Sequence, residues 1–185
     1  PGIDFNIQEQ ISFLKKLEYF KELRDLNLSK NSSNYNFNIR NGFFEEGDAE
    51  IYYSIIRYFK PRNIIEIGSG HSSLIALEAI DKNFKANQIK SELICIEPYE
   101  NNWLEKKGIN VIRKKIEDIQ DNFITSLKKN DILFIDSSHV IKPQGDIVKI
   151  FLELLPKLNK GVIVHIHDIF SPRDYPSKWL NEENR

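Results

Sequence analysis

Short runs of apolar residues alternate with segments of helical character from Asn63 onward, and this alternation constrains the fold more than any other feature of the sequence. Strands that are apolar along their whole length are typical of a parallel sheet covered by helices on both faces. Right-handed crossovers then give a doubly wound α/β domain, in which ligands bind at the carboxyl ends of the strands. The runs predict five strands: Asn63–Ile67, Leu93–Glu97, Asn110–Arg113, Asp131–Asp136 and Gly161–Ile166.

Helical periodicity fills the gaps between these strands and continues upstream of them. An amphipathic helix is predicted over Ile7–Leu28 and another over Ala49–Phe59, with Asp48 as its N-cap and Pro61 just beyond its end. The Asn- and Ser-rich stretch Ser29–Asn41 is predicted to be a loop. Four further helical segments are predicted: His71–Ile80, Asn101–Lys107, Ile116–Leu127 and Pro143–Leu158.

Length and composition are those of one ordinary globular domain. The chain has 185 residues, of which 41% are hydrophobic and 29% charged, so it can bury a core of its own. The formal net charge of -1 does not indicate a nucleic-acid-binding or membrane-surface protein. No apolar run approaches the length of a membrane span, and a single cysteine, Cys95, excludes an internal disulfide. These features predict a cytoplasmic protein.

A glycine turn follows the first predicted strand, in the sequence Glu66-Ile67-Gly68-Ser69-Gly70. Glycines allow a tight turn and a close approach of backbone to ligand, and the helix that follows offers free N–H groups. A purely structural turn would look the same. The third glycine of the dinucleotide fingerprint is replaced by Ser73. That replacement favours S-adenosylmethionine, which has no pyrophosphate to seat on the helix, over a nicotinamide dinucleotide.

Acidic residues follow the second and third predicted strands. Glu97, in Glu97-Pro98, can accept hydrogen bonds from the two vicinal hydroxyls of a ribose, although a solvated Glu could also stand there. Glu117 or Asp118 could accept from the amino group of an adenine. An N-cap for the next helix is an equally good interpretation of this acidic pair, and both roles can hold together.

Carboxylates and imidazoles cluster after the fourth and fifth predicted strands. Asp136 and His139 follow the fourth strand, while His165, His167 and Asp168 end the fifth. Alternation along a strand places His165 and His167 on the same side. Histidine is the side chain best suited to proton transfer near neutral pH, so these residues predict a reaction centre in the crevice.

Taken together, these residues resemble class I S-adenosylmethionine-dependent methyltransferases. More narrowly, they are similar to methyltransferase family 24, which includes sugar and antibiotic O-methyltransferases. The resemblance covers roughly Gly47 to Trp179. It is carried by Gly47-Asp48-Ala49-Glu50, Ile65-Glu66-Ile67-Gly68-Ser69-Gly70, Cys95-Ile96-Glu97-Pro98-Tyr99, the stretch from Asp131 to Val140 and the stretch from Gly161 to Phe170.

The resemblance implies a Rossmann-like methyltransferase fold and a set of cofactor contacts. Glu66, Gly68 and Gly70 would line the methionine part of the cofactor, and Glu97 would bind the ribose. The full set of predicted cofactor-binding residues is Glu66, Gly68, Ser69, Gly70, Glu97, Pro98, Glu117, Asp118 and Asp136.

The resemblance also implies a reaction centre. In metal-dependent relatives, aspartates matching Asp136 and Asp168 bind magnesium, and a histidine matching His139 is the general base. This sequence departs from them at His167, where such relatives tend to carry an acidic ligand. The predicted metal ligands are thus Asp136, His167 and Asp168, for magnesium or another divalent ion, and the predicted catalytic residues are His139 and Asp136.

These inferences predict one methyltransferase-like domain over residues 1–185. Residues 1–46 would form an N-terminal helical arm and loop, residues 47–170 the cofactor-binding core, and residues 171–185 a loop and tail on the substrate side. The last two strands of the family fold, an antiparallel hairpin, are expected to be absent from this chain, because no strand signal follows Phe170.

The predicted activity is methyl transfer to an oxygen of a small, sugar-like hydroxylated acceptor. No nucleic-acid or membrane partner is expected, and the N-terminal helix could mediate homo-oligomerisation. Two alternatives remain: a non-catalytic methyltransferase-like binding domain of a larger protein, and a nicotinamide-dependent dehydrogenase.

Overall fold

Five parallel strands form a single sheet with the order β3-β2-β1-β4-β5, in a computed structural model that describes residues 4–25, 36–170, 173, 175 and 177. The predicted doubly wound α/β fold is therefore confirmed. The strands are β1 (Asn63–Ile67), β2 (Glu92–Ile96), β3 (Asn110–Ile112), β4 (Ile132–Ile135) and β5 (Ile163–Ile166).

The carboxyl ends of the four longer strands are level with one another. Ile67 in β1 is in register with Ile96 in β2 and with Ile135 in β4, and Ile135 is in register with Ile166 in β5. The residues that follow these four positions therefore emerge along one edge of the sheet. This edge is where a doubly wound sheet binds its ligands.

Within the described part of the chain, six helices accompany the strands, together with two isolated 3₁₀ turns. The helices are α1 (Ile7–Leu14), α2 (Phe20–Asp25), α3 (Asp48–Phe59), α4 (His71–Asn87), α5 (Asp121–Thr125) and α6, which is α-helical over Asp146–Val148, π-helical over Lys149–Leu154 and 3₁₀-helical over Leu155–Lys157. The 3₁₀ turns are Glu105–Lys107 and Ile116–Asp118.

Two predicted helices differ in extent from the structure, since α4 continues to Asn87 rather than ending at Ile80, and the helix expected over Asn101–Lys107 is only the 3₁₀ turn Glu105–Lys107. Three others are interrupted or begin elsewhere. The helix expected over Ile7–Leu28 is divided into α1 and α2, and residues 26–28 lie outside the described part of the chain. The break places Tyr19 against Arg57, whose guanidinium carbon lies 5.3 Å from the ring centre. The helix expected over Ile116–Leu127 is interrupted because Ile119 and Gln120 are extended.

The third difference is at the start of α6. It begins at Asp146 rather than Pro143, because the Asp146 carboxylate accepts hydrogen bonds from the N–H and hydroxyl of Ser138 at 2.8 and 2.7 Å. Asp48 is the first residue of α3, and the N-cap is Gly47.

Alternation along the strands divides the core into two layers, one on each face of the sheet. In β1, Ile64 packs in the layer under α3 and α4, while Ile65 and Ile67 pack in the layer under α5 and α6. The same alternation places Glu66 on the α3 side of the sheet, within the core rather than at its edge.

A partly buried ion pair holds the N-terminal arm against this core. The Arg57 guanidinium in α3 donates to both carboxylate oxygens of Glu22 in α2, at 2.7 and 2.9 Å, and also bonds Asn83 in α4. Tyr53 donates its hydroxyl to the same Glu22 carboxylate at 2.9 Å. Helix α2 is therefore an integral part of the domain.

Helix α1 is held more loosely. Its Phe13 ring contacts Tyr58 and Phe59, with centroids 5.4 and 5.7 Å away, while Ile7, Ile11 and Leu14 are exposed. Self-association through this helix stays a prediction. Within the described residues, every helix is too short or too polar to cross a membrane.

The ion pair predicts the effect of Glu22→Gln, which keeps the shape of the side chain but removes the charge facing buried Arg57. We expect the free energy of unfolding to fall by about 1–3 kcal/mol, less than for a fully buried pair because Glu22 is partly exposed to water. The hydrogen bond from Arg57 lowers the pKa of Glu22 below its ordinary value of 4.5. The stabilisation is therefore fully present above that value, and it is lost as the pH falls through the lower folded-state pKa.

Urea denaturation of the wild type and of Glu22→Gln at about pH 7 and at about pH 3 measures this effect. The difference in the free energy of unfolding between the two proteins should be smaller at the acidic pH. Glu18→Gln, on an exposed residue of the same arm, is the control. A Glu22→Gln protein as stable as the wild type at neutral pH would show that the pair does not fasten the arm.

Candidate functional site

The glycine turn between β1 and α4 lies at the level edge of the sheet and packs directly on the end of β4. Gly68 has φ +79°, and a Cβ atom there would lie 1.7 Å from the backbone oxygen of Asp136. The Gly68 N–H donates to the carbonyl of Ile96 at 3.0 Å, which ties the turn to β2 as well. Gly70 is extended, with φ 179°, so its backbone does not require a glycine. Only glycine fits at position 68, because a side chain there would collide with the backbone of Asp136.

Glu66 lies beneath this turn and is fully buried. Its carboxylate accepts hydrogen bonds from the Tyr52 hydroxyl at 3.0 Å and from Ser73, and the Cys95 thiol lies 3.5 Å away. Burial raises the pKa of Glu66 to about 7, despite these hydrogen bonds. Glu66 thus has a structural role, because its hydrogen bonds connect β1 to α3 and α4. Its predicted contact with the methionine part of a cofactor stays a prediction.

Ser73 occupies the position of the third glycine, and its hydroxyl has a structural role there. It donates to Glu66 and accepts the N–H of Gly70 at 3.2 Å. This side chain connects the first turn of α4 to the buried carboxylate. The replacement of glycine is therefore part of how the turn is held.

Two clefts open on either side of the turn and share the residues Gly68, Glu97, Glu100 and Asp136. The larger, of about 550 Å³, extends toward the loops after β2 and β3 and is lined also by Pro98, Tyr99, Lys115, Glu117, Ser137 and Ser138. The smaller, of about 260 Å³, extends toward the N-terminus of α4 and is lined also by Phe43, Phe44, Ser69, Gly70, His71, Ser72 and Asn101. The shared residues place the two clefts next to each other along the edge.

Glu97 lies where the two clefts meet, one residue after β2. One carboxylate oxygen accepts the N–H groups of Tyr99 and Glu100, both at 3.0 Å, and the other is 3.4 Å from the N–H of Ser69. These contacts fix the carboxylate at the centre of the site. The acidic pair after β3 is divided: Glu117 lines the larger cleft, whereas Asp118 is exposed and is not among its lining residues.

Buried polar atoms with few partners line both clefts. The Nδ1 atom of His71 in the smaller cleft has no hydrogen-bond partner within the described part of the chain, while the hydroxyls of Ser69 and Ser137 interact with the Cys95 thiol and the Asp146 carboxylate. A buried polar atom that lacks a partner costs about 1–3 kcal/mol. A polar ligand in the clefts would offset that cost, so the residues present fit a cofactor with polar groups at both ends.

Asp136, His139 and Asp168 come together at the ends of β4 and β5. One ligand atom from each lies within 4.8 Å of the others, and the His139 ring nitrogen Nε2 is 3.1 Å from Asp136 Oδ1. His139 and Asp168 both have left-handed backbone, with φ +55° and +53°. Non-glycine residues adopt this conformation at a cost that is often found at functional sites. The hydrogen bond that His139 donates to the Asp136 carboxylate raises the pKa of His139.

His167 lies in the same cluster but is surrounded by carboxylates. Its Nδ1 is 3.3 Å from Asp136 Oδ1 and 3.5 Å from Asp168 Oδ1, and its Nε2 is 3.3 Å from Asp48 Oδ2. Burial would lower the pKa of His167, but these carboxylates raise it to about 9. The residues whose ligand atoms lie close enough together to hold a metal are Asp136, His139 and Asp168, a group that contains His139 in place of the predicted His167.

The charges in this cluster also shift the pKa values of His165 and Asp136. Burial, and then the positive charge of His167, lower the pKa of His165 to about 4. Burial opposes ionisation of Asp136, but hydrogen bonds from His139 and His167 hold the pKa of Asp136 well below its usual value. Both His165 and His167 contact the ring of Phe134, as expected for residues on one side of β5.

The sequence interpretation missed several residues of the site. Phe43 and Phe44 line the smaller cleft from the loop before α3, Asn101 donates to the Ser69 carbonyl at 2.8 Å, and Tyr52 holds Glu66. Loop and helix residues far from the strand ends carry no local signal of such contacts. The Gly42-Phe43-Phe44 sequence, two aromatics beside a glycine, was the only hint.

A level parallel sheet with a glycine turn on β1 and a fixed carboxylate after β2 defines an α/β domain of the nucleotide-binding kind. The chain belongs to methyltransferase family 24: the family model described as a methyltransferase domain matches residues 65–169, more than half of the chain. An uncharacterised protein of Archaeoglobus fulgidus is 32% identical to it over 137 residues. The match covers 71% of this chain and 61% of that relative, so the chain spans about three fifths of the relative's length.

The contact between Gly68 and Asp136 predicts that Gly68→Ala is strongly destabilising. The new methyl group would meet a backbone oxygen that cannot move without opening the β1–β4 pair, so we expect a loss of about 3 kcal/mol or more in the free energy of unfolding. Chemical denaturation measures the loss.

Two control substitutions separate the causes. Gly42 has a similar φ of +81°, but a Cβ atom there would have no other atom within 4 Å. Gly42→Ala should therefore lower the free energy of unfolding by only about 1–2 kcal/mol, from backbone strain alone. Gly70→Ala meets only the Asn101 side chain, at 3.1 Å, and should cost less still. Equal losses for Gly68→Ala and Gly42→Ala would rule out the close contact.

Proposed function

We propose that this protein binds S-adenosylmethionine along the two joined clefts and transfers its methyl group to an oxygen of a small, sugar-like hydroxylated acceptor. The observation that carries the proposal is the position of the Asp136–His139–Asp168 cluster, since Asp136 lines both clefts and also contacts His139. A ligand-binding site and a group able to move a proton therefore share one residue.

The cofactor half of the proposal rests on Glu97 and the residues around it. Its carboxylate, held at the junction of the clefts, would accept the two ribose hydroxyls. The adenine would then lie in the larger cleft, beside Pro98 and Tyr99, where Glu117 can accept from its amino group. The amino-acid end would lie in the smaller cleft, at the N-terminus of α4. Asp118, which is exposed, is the weaker candidate of the acidic pair.

The catalytic half rests on His139. When bound, S-adenosylmethionine supplies an electrophilic methyl group on a sulfonium. Because Nε2 of His139 is directed at Asp136, Nδ1 is the nitrogen left to accept the proton of the acceptor hydroxyl. Asp136 would stabilise the imidazolium that forms. Methyl transfer depends mainly on proximity and orientation, so the contribution of such a base is one part of the rate enhancement.

A divalent metal is a second possibility for the same cluster, and it conflicts with the role of His139 as a base. Asp136, His139 and Asp168 could hold such an ion, which would bind the acceptor hydroxyl and lower its pKa. Two carboxylates with one imidazole suit manganese, iron or zinc better than magnesium, which prefers oxygen ligands throughout. Turnover that survives treatment with a chelator would favour the base.

Family membership favours this proposal over a nicotinamide dehydrogenase. It does not separate an enzyme from a methyltransferase-like binding domain of a larger protein, because both would carry the same cofactor site. Turnover is the observation that separates them. The acceptor class is supported by the resemblance to sugar and antibiotic O-methyltransferases and by the His139–Asp136 pair, which could accept a hydroxyl proton.

The cofactor assignment predicts that Glu97→Ala weakens the binding of S-adenosylmethionine about tenfold to a hundredfold, since two hydrogen bonds from ribose to a charged group are lost. Isothermal titration calorimetry measures the effect. Glu92→Ala, at the opposite end of the same strand, is the matched control and should bind as the wild type does. A wild-type protein that binds no cofactor at millimolar concentration would refute the proposal.

The catalytic assignment predicts that His139→Ala lowers turnover about a hundredfold to ten-thousandfold while the affinity for S-adenosylmethionine is unchanged. A screen of hydroxylated acceptors, followed by chromatographic detection of S-adenosylhomocysteine, provides the measurement. His139→Gln preserves a polar side chain without a comparable basic group and should be similarly slow. Undiminished turnover in both variants would remove His139 from the mechanism.

A further inference from the structure

The loop before α3 forms one wall of the smaller cleft and is held in a fixed shape. The side-chain oxygen of Asn41 accepts the N–H groups of Phe43 and Phe44, at 2.9 and 2.7 Å. Phe44 is buried and anchors the loop, with its ring centre 6.1 Å from that of Tyr52 and 5.9 Å from that of Phe134. The position of the neighbouring Phe43 is therefore set before any ligand arrives.

Phe43 itself is 80% exposed, the second most exposed large apolar side chain among the described residues. One face of its ring stacks on His71, with centroids 5.5 Å apart and planes inclined by 6°. The ring belongs to the lining of the smaller cleft. A ligand that covers this exposed aromatic ring removes apolar surface from water, which makes binding more favourable. The fixed position of the ring keeps the entropic cost of binding low.

The smaller cleft that Phe43 lines also has polar residues at the start of α4. Among the described residues, the Nδ1 atom of His71 is buried without a hydrogen-bond partner, and the buried Ser69 hydroxyl interacts only with the Cys95 thiol. Both atoms lie at the start of α4, where free N–H groups favour a carboxylate. A hydroxyl and a neutral imidazole can each donate or accept, so this part of the cleft suits the charged end of an amino acid.

We propose that Phe43 determines specificity by covering an amino-acid subsite in the smaller cleft, at the start of α4. It adds to the affinity only of ligands that carry an aliphatic amino-acid chain beyond the ribose. The aliphatic part of that chain lies against the ring face that His71 leaves uncovered, and its charged end reaches Ser69 and His71. This inference rests on the proposed function, because it takes the ribose to lie against Glu97.

The test pairs a shortened side chain with a shortened ligand. S-adenosylmethionine and S-adenosylhomocysteine carry the amino-acid chain, while 5′-methylthioadenosine keeps the adenosine and sulfur but lacks that chain. For Phe43→Ala we expect calorimetry to show about tenfold weaker binding of the first two ligands and an unchanged affinity for the third. Phe43→Tyr, which keeps the ring, should restore wild-type affinity.

Phe20→Ala is the matched control, because Phe20 is another exposed phenylalanine, 64% accessible, that lies on α2 away from both clefts. It should leave all three affinities unchanged, and thermal denaturation should show that both alanine variants fold. If Phe43→Ala lowers the affinity for all three ligands equally, or for none of them, the inference is wrong. If the wild type binds neither S-adenosylmethionine nor S-adenosylhomocysteine, the proposed function fails instead.

Discussion

The contact of the Gly68 turn with the backbone of Asp136 is the constraint on which the rest of the site depends. β1 lies at the centre of the sheet, between β2 and β4, and its turn bonds to Ile96 on one side and touches Asp136 on the other. Because no side chain fits there, the ends of three strands come within reach of one ligand. Both clefts open from this point and share Gly68 and Asp136 as lining residues.

The turn is supported from below by polar residues buried in the core. Glu66, Tyr52 and Ser73 form a hydrogen-bonded group between β1, α3 and α4, in a layer that is otherwise apolar. A buried carboxylate is costly unless it is paired, and its raised pKa of about 7 reflects that cost. These bonds tie the turn to two helices, so the site is braced by groups that never need to touch the ligand.

Much of the fold could be predicted from the sequence, because the strands are short apolar runs and every one of the five was found. Helix limits were less predictable. The break between α1 and α2 comes from the packing of Tyr19 and Glu22 on Arg57, and the late start of α6 comes from the Asp146–Ser138 bonds. These are contacts between segments distant along the chain or across a loop, and helical periodicity carries no record of them.

The candidate site was predictable in part, for a related reason. Residues that directly follow strands share one edge of the sheet, so the grouping of Gly68, Glu97, Asp136 and Asp168 followed from topology. The orientation of the side chains could not be predicted from the topology. Strand alternation turns Glu66 into the core, and three carboxylates surround His167 while His139 is left beside Asp136 and Asp168. Phe43 reaches the cleft from a loop whose path no strand pattern describes.

The central claim is that one elongated ligand lies across the glycine turn, with its ribose on Glu97. A crystal structure of the protein with S-adenosylhomocysteine tests this most directly. The account predicts that the ribose hydroxyls lie within hydrogen-bond distance of Glu97, with the adenine beside Pro98 and Glu117 and the amino-acid end at Ser69 and His71. Density for the ligand elsewhere, or in the reverse orientation with the adenine at Phe43, would contradict it.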